Sequence, residues 1–271
     1  MAKIAGETWR IDLASGCAIS TRLHFDGEHP RAFGIPRARA SVMEFAGRVA
    51  DTARGGPFNA SELTINPHGN GTHTESAAHL VGGAPPVADA APLGLVPCVV
   101  LSIEPVLLEY SGENYGGRSE PDDRVLTAAA LEAATAWAEA PNAFFEAIVI
   151  RTLPNQPGKL TRNYTGTNPP YPTAEAMAWL IDRGVDHLLL DCPSLDREDD
   201  GGTLPNHRAF WSLAAAADQR RPPEETRRTV TEMIYVPDAL RDGPYVLDLQ
   251  VPDFALDASP SRPILFEVSR G

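Results

Sequence analysis

Short apolar runs recur along the chain at residues 99–103, 147–150, 185–190, 245–249 and 263–268. Each is too short for a helix that could bury itself, and each is rich in Val, Ile, Leu or aromatic side chains, so each reads as a β-strand. Helical stretches lie between some of them. Residues 127–139 are rich in Ala and Leu and begin at Thr127, a residue type that caps helix N-termini. Thr173 can cap a second helix, in which Met177, Leu180 and Ile181 form a stripe at i, i+3 and i+4 and Gly184 supplies the stop. Residues 205–217 form a third, with Pro205 suited to the first turn. Strands and helices alternate in the middle of the chain and strands dominate its end. The expectation is an α/β fold with a mixed sheet. No internal repeat or low-complexity linker divides the 271 residues, so one domain spanning 1–271 is expected. Residues 152–172 form a polar stretch rich in Pro and Gly, a length of loop that often serves function, here as a lid.

Charge narrows the partners. The formal net charge is −13, from 23 basic and 36 acidic residues, which repels phosphate backbones and anionic lipid headgroups. A small-molecule substrate is expected, with neither nucleic acid nor membrane as partner. The three cysteines, Cys17, Cys98 and Cys192, are scattered and form neither a disulfide framework nor a CxxC metal pair. The opening MAKIAGETWRIDL has no apolar core of a secretory signal, and no apolar run approaches the ~20 residues that span a bilayer. The expected location is cytoplasmic.

Chemistry concentrates in NPHGNGTHTESAAHL. His68, His73 and His79 fall within twelve residues, with Glu75 between the last two. Imidazole nitrogen and carboxylate oxygen are the usual ligands of hydrolytic zinc. His73 and Glu75 are two residues apart, so on extended backbone they point to the same side. Gly69 and Gly71 permit tight turns and close approach of backbone to an ion. The helical HExxH arrangement is absent. A second polar region, LLLDCPSLDREDDGGTLPNHRAFW, places Asp191 at a strand end and His207 at the opening of a helix, where α/β proteins put functional side chains. Asp196, Glu198 and Asp200 alternate like a calcium loop, but the twelfth position is His207 and not the bidentate Glu such a loop needs. Asp191, Ser194 and Asp196 have two readings, capping the turn or orienting ligands. Tyr164 and Tyr171, on the long loop, serve either as substrate contacts or as packing groups.

GTHTESAAH resembles the signature of the cyclase/kynurenine formamidase family, H-x-G-T-H-x-D-x-P-x-H, with Gly71, Thr72, His73, Glu75 and His79 on its positions. The similarity extends to Asp191, Ser194 and Asp196, to His207, to Glu232 in TVTEMIYV, to WRIDL near the start, and to an Asp-x-Ser-Pro-x-Arg turn within the C-terminal segment. The resemblance implies a swivelling β/β/α fold, a homodimer or homotetramer, and hydrolysis of an amide, formamide or lactam C–N bond. It implies one or two divalent metals, zinc first and manganese second. On the matching positions His73, Glu75, His207 and Glu232 are metal ligands, and His79 is the general acid/base. Three positions depart from the pattern. The family's first His falls at Gly69, with His68 one residue away; its Asp is Glu75, and its Pro is Ala77. Either the loop shifts so that His68 binds, or a ligand is absent, and a single metal held by the other four is the simpler expectation.

Two further functions compete. The same Lewis-acid site suits a lyase or isomerase that stabilises an enolate, and Gly69 with Glu75 suits a non-catalytic relative whose site has decayed.

Overall fold

In the computed structural model, which describes residues 1–138, 141–213 and 227–271, eleven strands join into one sheet. They are β1 (Ala2–Ile4), β2 (Glu7–Ile11), β3 (Cys17–Ala18), β4 (His73–Glu75), β5 (Val96–Ile103), β6 (Ala147–Thr152), β7 (His187–Leu190), β8 (Thr229–Glu232), β9 (Gly243–Gln250), β10 (Ala258–Pro260) and β11 (Arg262–Arg270). Their spatial order is β1-β2-β11-β9-β5-β6-β7-β8-β4-β10, and β3 also pairs with β11. The centre, β5-β6-β7-β8, is parallel, while β9 pairs antiparallel with β5 on one flank and, on the other, β4 pairs antiparallel with β8 and β10 antiparallel with β4. This is the expected mixed α/β sheet.

The central strands read as continuous apolar runs because both of their faces are covered. Val99, Leu101, Ile148, Ile150, Leu188, Leu190 and Val230 point to one side, where they pack with Leu131, Met177, Leu180 and Phe210. Cys98, Val100, Ala147, Val149 and Leu189 point to the other, against Ile19, Ile234, Val236, Leu247 and Leu265. The helices on the first side are α1 (Ala128–Ala138), α2 (Ala174–Asp182) and the short α3 (Pro205–Phe210). Thr173 caps α2 by accepting from the Ala176 amide, and Gly184, at φ +71°, ends that segment as expected. The third helix is shorter than its pattern predicts. It stops at Phe210, Ser212 adopts φ +53°, and residues 214–217 of the expected span lie outside the described residues, as does residue 139 of the first.

The long loop is pinned at several points. Lys159 is buried with its ammonium 2.7 Å from Asp191. Tyr164 packs with Ala32 and Met233, and the Tyr171 hydroxyl donates to Asp123 at 2.6 Å. Both tyrosines are therefore packing groups. Among the described residues no helix is long and apolar enough to cross a membrane.

Candidate metal centre

The sheet changes from parallel to antiparallel between β8 and β4, and the polar cluster lies there, beyond the carboxyl ends of β7 and β8. This is where open α/β sheets leave room for ligands. Strand β4 is three polar residues, all buried. Its pleat sends His73 and Glu75 to one face and Thr74 to the other, where the Thr74 hydroxyl meets that of Thr231 at 2.8 Å. Antiparallel register sets Glu232, the last residue of β8, opposite His73, and His73 Nε2 lies 3.3 Å from Glu232 Oε2.

The turn before β4 delivers His68. A 3-10 turn spans Pro67–Gly69, and the Asn70 side chain braces it by accepting from the Asn66 amide at 2.9 Å and donating to the Pro36 carbonyl at 3.0 Å. His68 Nδ1 then lies 2.9 Å from Glu75 Oε2, and its Nε2 lies 2.9 Å from Asp257 Oδ2. After β4, Ser76 caps a second 3-10 turn, Ala77–His79, and His79 Nδ1 comes within 3.2 Å of the same Asp257 oxygen. His207 enters from α3. Its Nε2 is 2.8 Å from Glu75 Oε1 and 3.4 Å from Glu232 Oε1, and its Nδ1 donates to Asp196 at 2.6 Å.

All six sequence-identified side chains, His68, His73, Glu75, His79, His207 and Glu232, thus meet in one place. His73, Glu75, His207 and Glu232 are buried; His68 and His79 are partly open. The shift from Gly69 to His68 has a steric cause. A Cβ on Gly69 would sit 2.3 Å from Ile35 Cδ1 and 2.7 Å from Ile35 Cβ, so any side chain there would have to displace Ile35, and the neighbouring His68 stands beside Glu75 at 2.9 Å. Asp257 is the residue that the sequence reading passed over. It stands in the Asp-x-Ser-Pro-x-Arg turn, which was legible as a turn but not as a partner of two histidines.

The electrostatics follow from burial opposed by pairing. Burial alone would lower the His68 pKa, but the hydrogen bonds and charges of Glu75 and Asp257 outweigh it and hold the ring at about 9. His207 is likewise raised against its own burial by Glu75, Asp196 and Glu232. Burial pushes Glu75 upward, yet the facing imidazoles of His207, His68 and His79 bring it well below the usual carboxylate range.

The donor set fits a divalent cation. Two trios, His73/Glu75/Glu232 and His68/Glu75/His79, each present one ligand atom per residue within 4.8 Å of one another, and they share Glu75. His73 Nε2 and Glu75 Oε1 are buried side-chain atoms with no hydrogen-bond partner. Glu75 Oε1 faces His207 Nε2 at 2.8 Å without hydrogen-bonding geometry. Buried groups of this kind are costly unless something satisfies them, and a bound cation would. The acidic run is no calcium loop: Asp196 binds His207 and Tyr115, Glu198 accepts from the Gly166 and Asn168 amides, and Asp200 accepts from those of Gly202 and Leu204. Ser194 accepts from the Asp196 amide at 3.0 Å and Asp191 holds Lys159 and Thr152, so these two brace the strand end while Asp196 orients His207. A cavity of about 1130 Å³ lies against Pro85, Pro86, Asp186 and Arg228, and none of the six donors lines it. Donor geometry, not cavity size, locates the centre.

Residues 11–197, more than half of the chain, match the model of the Cyclase family. The chain belongs to the Cyclase family. The matched stretch includes His68 to His79 and Asp196, while His207, Glu232 and Asp257 lie beyond it. Solved structures extend the likeness along the whole fold of this cyclase-family chain. A predicted metal-dependent hydrolase from Bacillus stearothermophilus is 14% identical, with 96% of this chain and 98% of that one covered and a TM-score of 0.55. Isatin hydrolase A from Labrenzia aggregata, bound to benzyl benzoate, is 16% identical over 94% and 95%, at 0.59. A novel cyclase is 12% identical over 94% and 89%, at 0.61. At such identities the likeness establishes the fold. No curated protein matches the chain.

Proposed function

We propose that this cyclase-family protein is a metal-dependent hydrolase that opens an amide, formamide or lactam C–N bond of a small molecule. One observation carries the reading: His73 Nε2 and Glu75 Oε1 are buried without hydrogen-bond partners inside a cluster whose other donors are imidazoles and carboxylates. The names of the solved relatives support the reaction class, since they include a predicted metal-dependent hydrolase and isatin hydrolases, and isatin is itself a cyclic amide.

His73, Glu75, His207 and Glu232 would hold the ion, with His68 beside Glu75 as a further ligand. Zinc suits the nitrogen and oxygen donor set, and manganese is the second candidate. A divalent ion, when bound, supplies Lewis acidity, lowering the pKa of a coordinated water to about 7 and polarising a carbonyl. His79 is the proton carrier. Asp257 accepts from its Nδ1, which orients the ring and leaves Nε2 to take a proton from water and pass it to the leaving nitrogen. The site is partly open on the side of His68 and His79, which gives substrate a way in. Assembly as a homodimer or homotetramer is part of the same proposal, carried by the family resemblance.

The test is elemental analysis of protein purified without chelators, beside His73→Ala, Glu232→Ala and His79→Ala. Zinc or manganese should be lost in the first two and kept in the third. A screen of formamides and lactams should show His79→Ala turning over about 10²–10⁴-fold more slowly than the wild type. A wild type that stays empty after reconstitution with either metal would sink the catalytic reading. Near-normal turnover by His79→Ala would remove the role given to that residue.

A further inference from the structure

Asp196 receives four donors. Its Oδ1 accepts from the Tyr115 hydroxyl at 2.8 Å and from the Asn206 amide at 2.9 Å, and its Oδ2 accepts from the His207 amide at 3.2 Å and from His207 Nδ1 at 2.6 Å. Three of these come from the start of α3. The fourth comes from a different part of the chain, 81 residues away. Tyr115 is buried, its ring packs against that of Tyr171 with centroids 4.6 Å apart and planes tilted by 57°, and Gly117 packs so closely that a Cβ there would lie 2.9 Å from Tyr115 Cε1. The Arg197 amide donates to its hydroxyl at 3.3 Å, so the hydroxyl proton is committed to Asp196.

We propose that Tyr115 is a positioning residue of the metal centre, acting through Asp196. A carboxylate free to turn about its own axis holds an imidazole loosely. The Tyr115 hydroxyl fixes the rotation of the Asp196 carboxylate, which then accepts the Nδ1 proton of His207 and aims Nε2 at Glu75 and Glu232. Partners that hydrogen-bond the distal nitrogen of a metal-binding histidine set its tautomer and its basicity, and their loss typically costs about 10–100-fold in metal affinity. This role rests on the metal-centre reading above. No local signal in ENYGGRSE marks Tyr115, because the contact that matters is made only by the fold.

The experiment is cobalt(II) titration of the metal-free chain against a competing chelator, with the visible spectrum of the cobalt-loaded protein recorded alongside. The wild type is compared with Tyr115→Phe, Asp196→Asn and Tyr171→Phe. The last removes a buried hydroxyl from the ring packed against Tyr115 without touching Asp196, so it reports general loosening of the cluster. Tyr115→Phe should bind cobalt about tenfold or more weakly, with a shifted visible spectrum. Asp196→Asn should lose more, and Tyr171→Phe should match the wild type. Tyr115→Phe equal to the wild type in affinity and spectrum overturns the role while leaving the metal centre intact. Equal weakening in both tyrosine variants overturns it as well, in favour of a purely structural effect. A wild type that takes up no cobalt, zinc or manganese removes the centre itself, and this role with it.

Discussion

Gly69 is the position at which packing against Ile35 bears on which histidine faces Glu75. A Cβ placed there meets Ile35 Cδ1 at 2.3 Å, Cβ at 2.7 Å and Cγ1 at 3.0 Å, whereas carbon atoms settle at ~3.5–4.0 Å. The Cδ1 methyl can swing aside. The Ile35 Cβ cannot, because it is fixed to backbone whose amide donates to Ala32 at 3.1 Å, and the Ala32 amide donates in turn to the Gly69 carbonyl at 3.2 Å. Relief therefore has to move a hydrogen-bonded loop. Overpacking of this kind costs about 1–3 kcal/mol, and each kcal/mol lowers Tm by about 2–4 °C in a domain of this order of size. Gly69→Ala should melt lower by roughly 2–12 °C. Ile35→Gly removes all three clashing atoms, so in a double-mutant cycle the pair should recover about 1–3 kcal/mol relative to the sum of the singles. Thermal and urea unfolding of the metal-free wild type, both singles and the double variant supply the cycle. Gly69→Ala melting together with the wild type, or singles that add without coupling, would refute the packing argument.

Two further outcomes follow from buried charge. Lys159→Met leaves the Asp191 carboxylate, itself 1% exposed, without its ammonium. Urea unfolding at neutral pH should show a loss of about 3–5 kcal/mol, and a loss below about 1 kcal/mol would mean that the pair contributes little to stability. His187 is held at about 4, down from 6.5, because burial disfavours its charged form, with Asp186 offsetting part of the effect. Since the folded pKa lies below the unfolded one, the stability this group contributes is complete above about 6.5 and is lost as pH falls towards 4. The gap is worth about 3 kcal/mol, so urea midpoints of His187→Gln should fall less than those of the wild type between pH 7 and pH 4, and parallel curves would contradict the assignment.

The central sheet was legible because both of its faces are buried. Val99, Leu101, Cys98 and Val100 all had to be apolar, whichever side they faced, so the strand appears as an unbroken run. The strands reach further than the runs, back to Val96 in β5 and on to Thr152 in β6, because residues such as Pro97, Arg151 and Thr152 interrupt the apolar pattern. Strands β4 and β8 carry polar side chains of the candidate centre, and His-Thr-Glu and Thr-Val-Thr-Glu give no hydrophobic signal for a strand. Helix α3 fell short of its expected span because Pro205 marks where a helix starts, not where it stops.

The metal cluster divides in the same way. His68, His73, Glu75 and His79 announced themselves by proximity in the chain. His207 stood out by its place at the opening of a helix, but its role, like Glu232 itself, came only through the family resemblance, and Asp257 and Tyr115 came not at all. Asp257 lies 189 residues from His68 and 178 from His79, and Tyr115 lies 81 residues from Asp196. No short window of sequence can hold such pairs. The shift by one residue at Gly69 is the sharpest case. Aligned letter by letter, the motif has lost a ligand. In space, the 3-10 turn over Pro67–Gly69 and the wall formed by Ile35 carry the adjacent histidine to within 2.9 Å of Glu75. A donor belongs to a centre by where its nitrogen lies, and here that depends on an isoleucine 33 positions upstream of His68 as much as on the histidine itself.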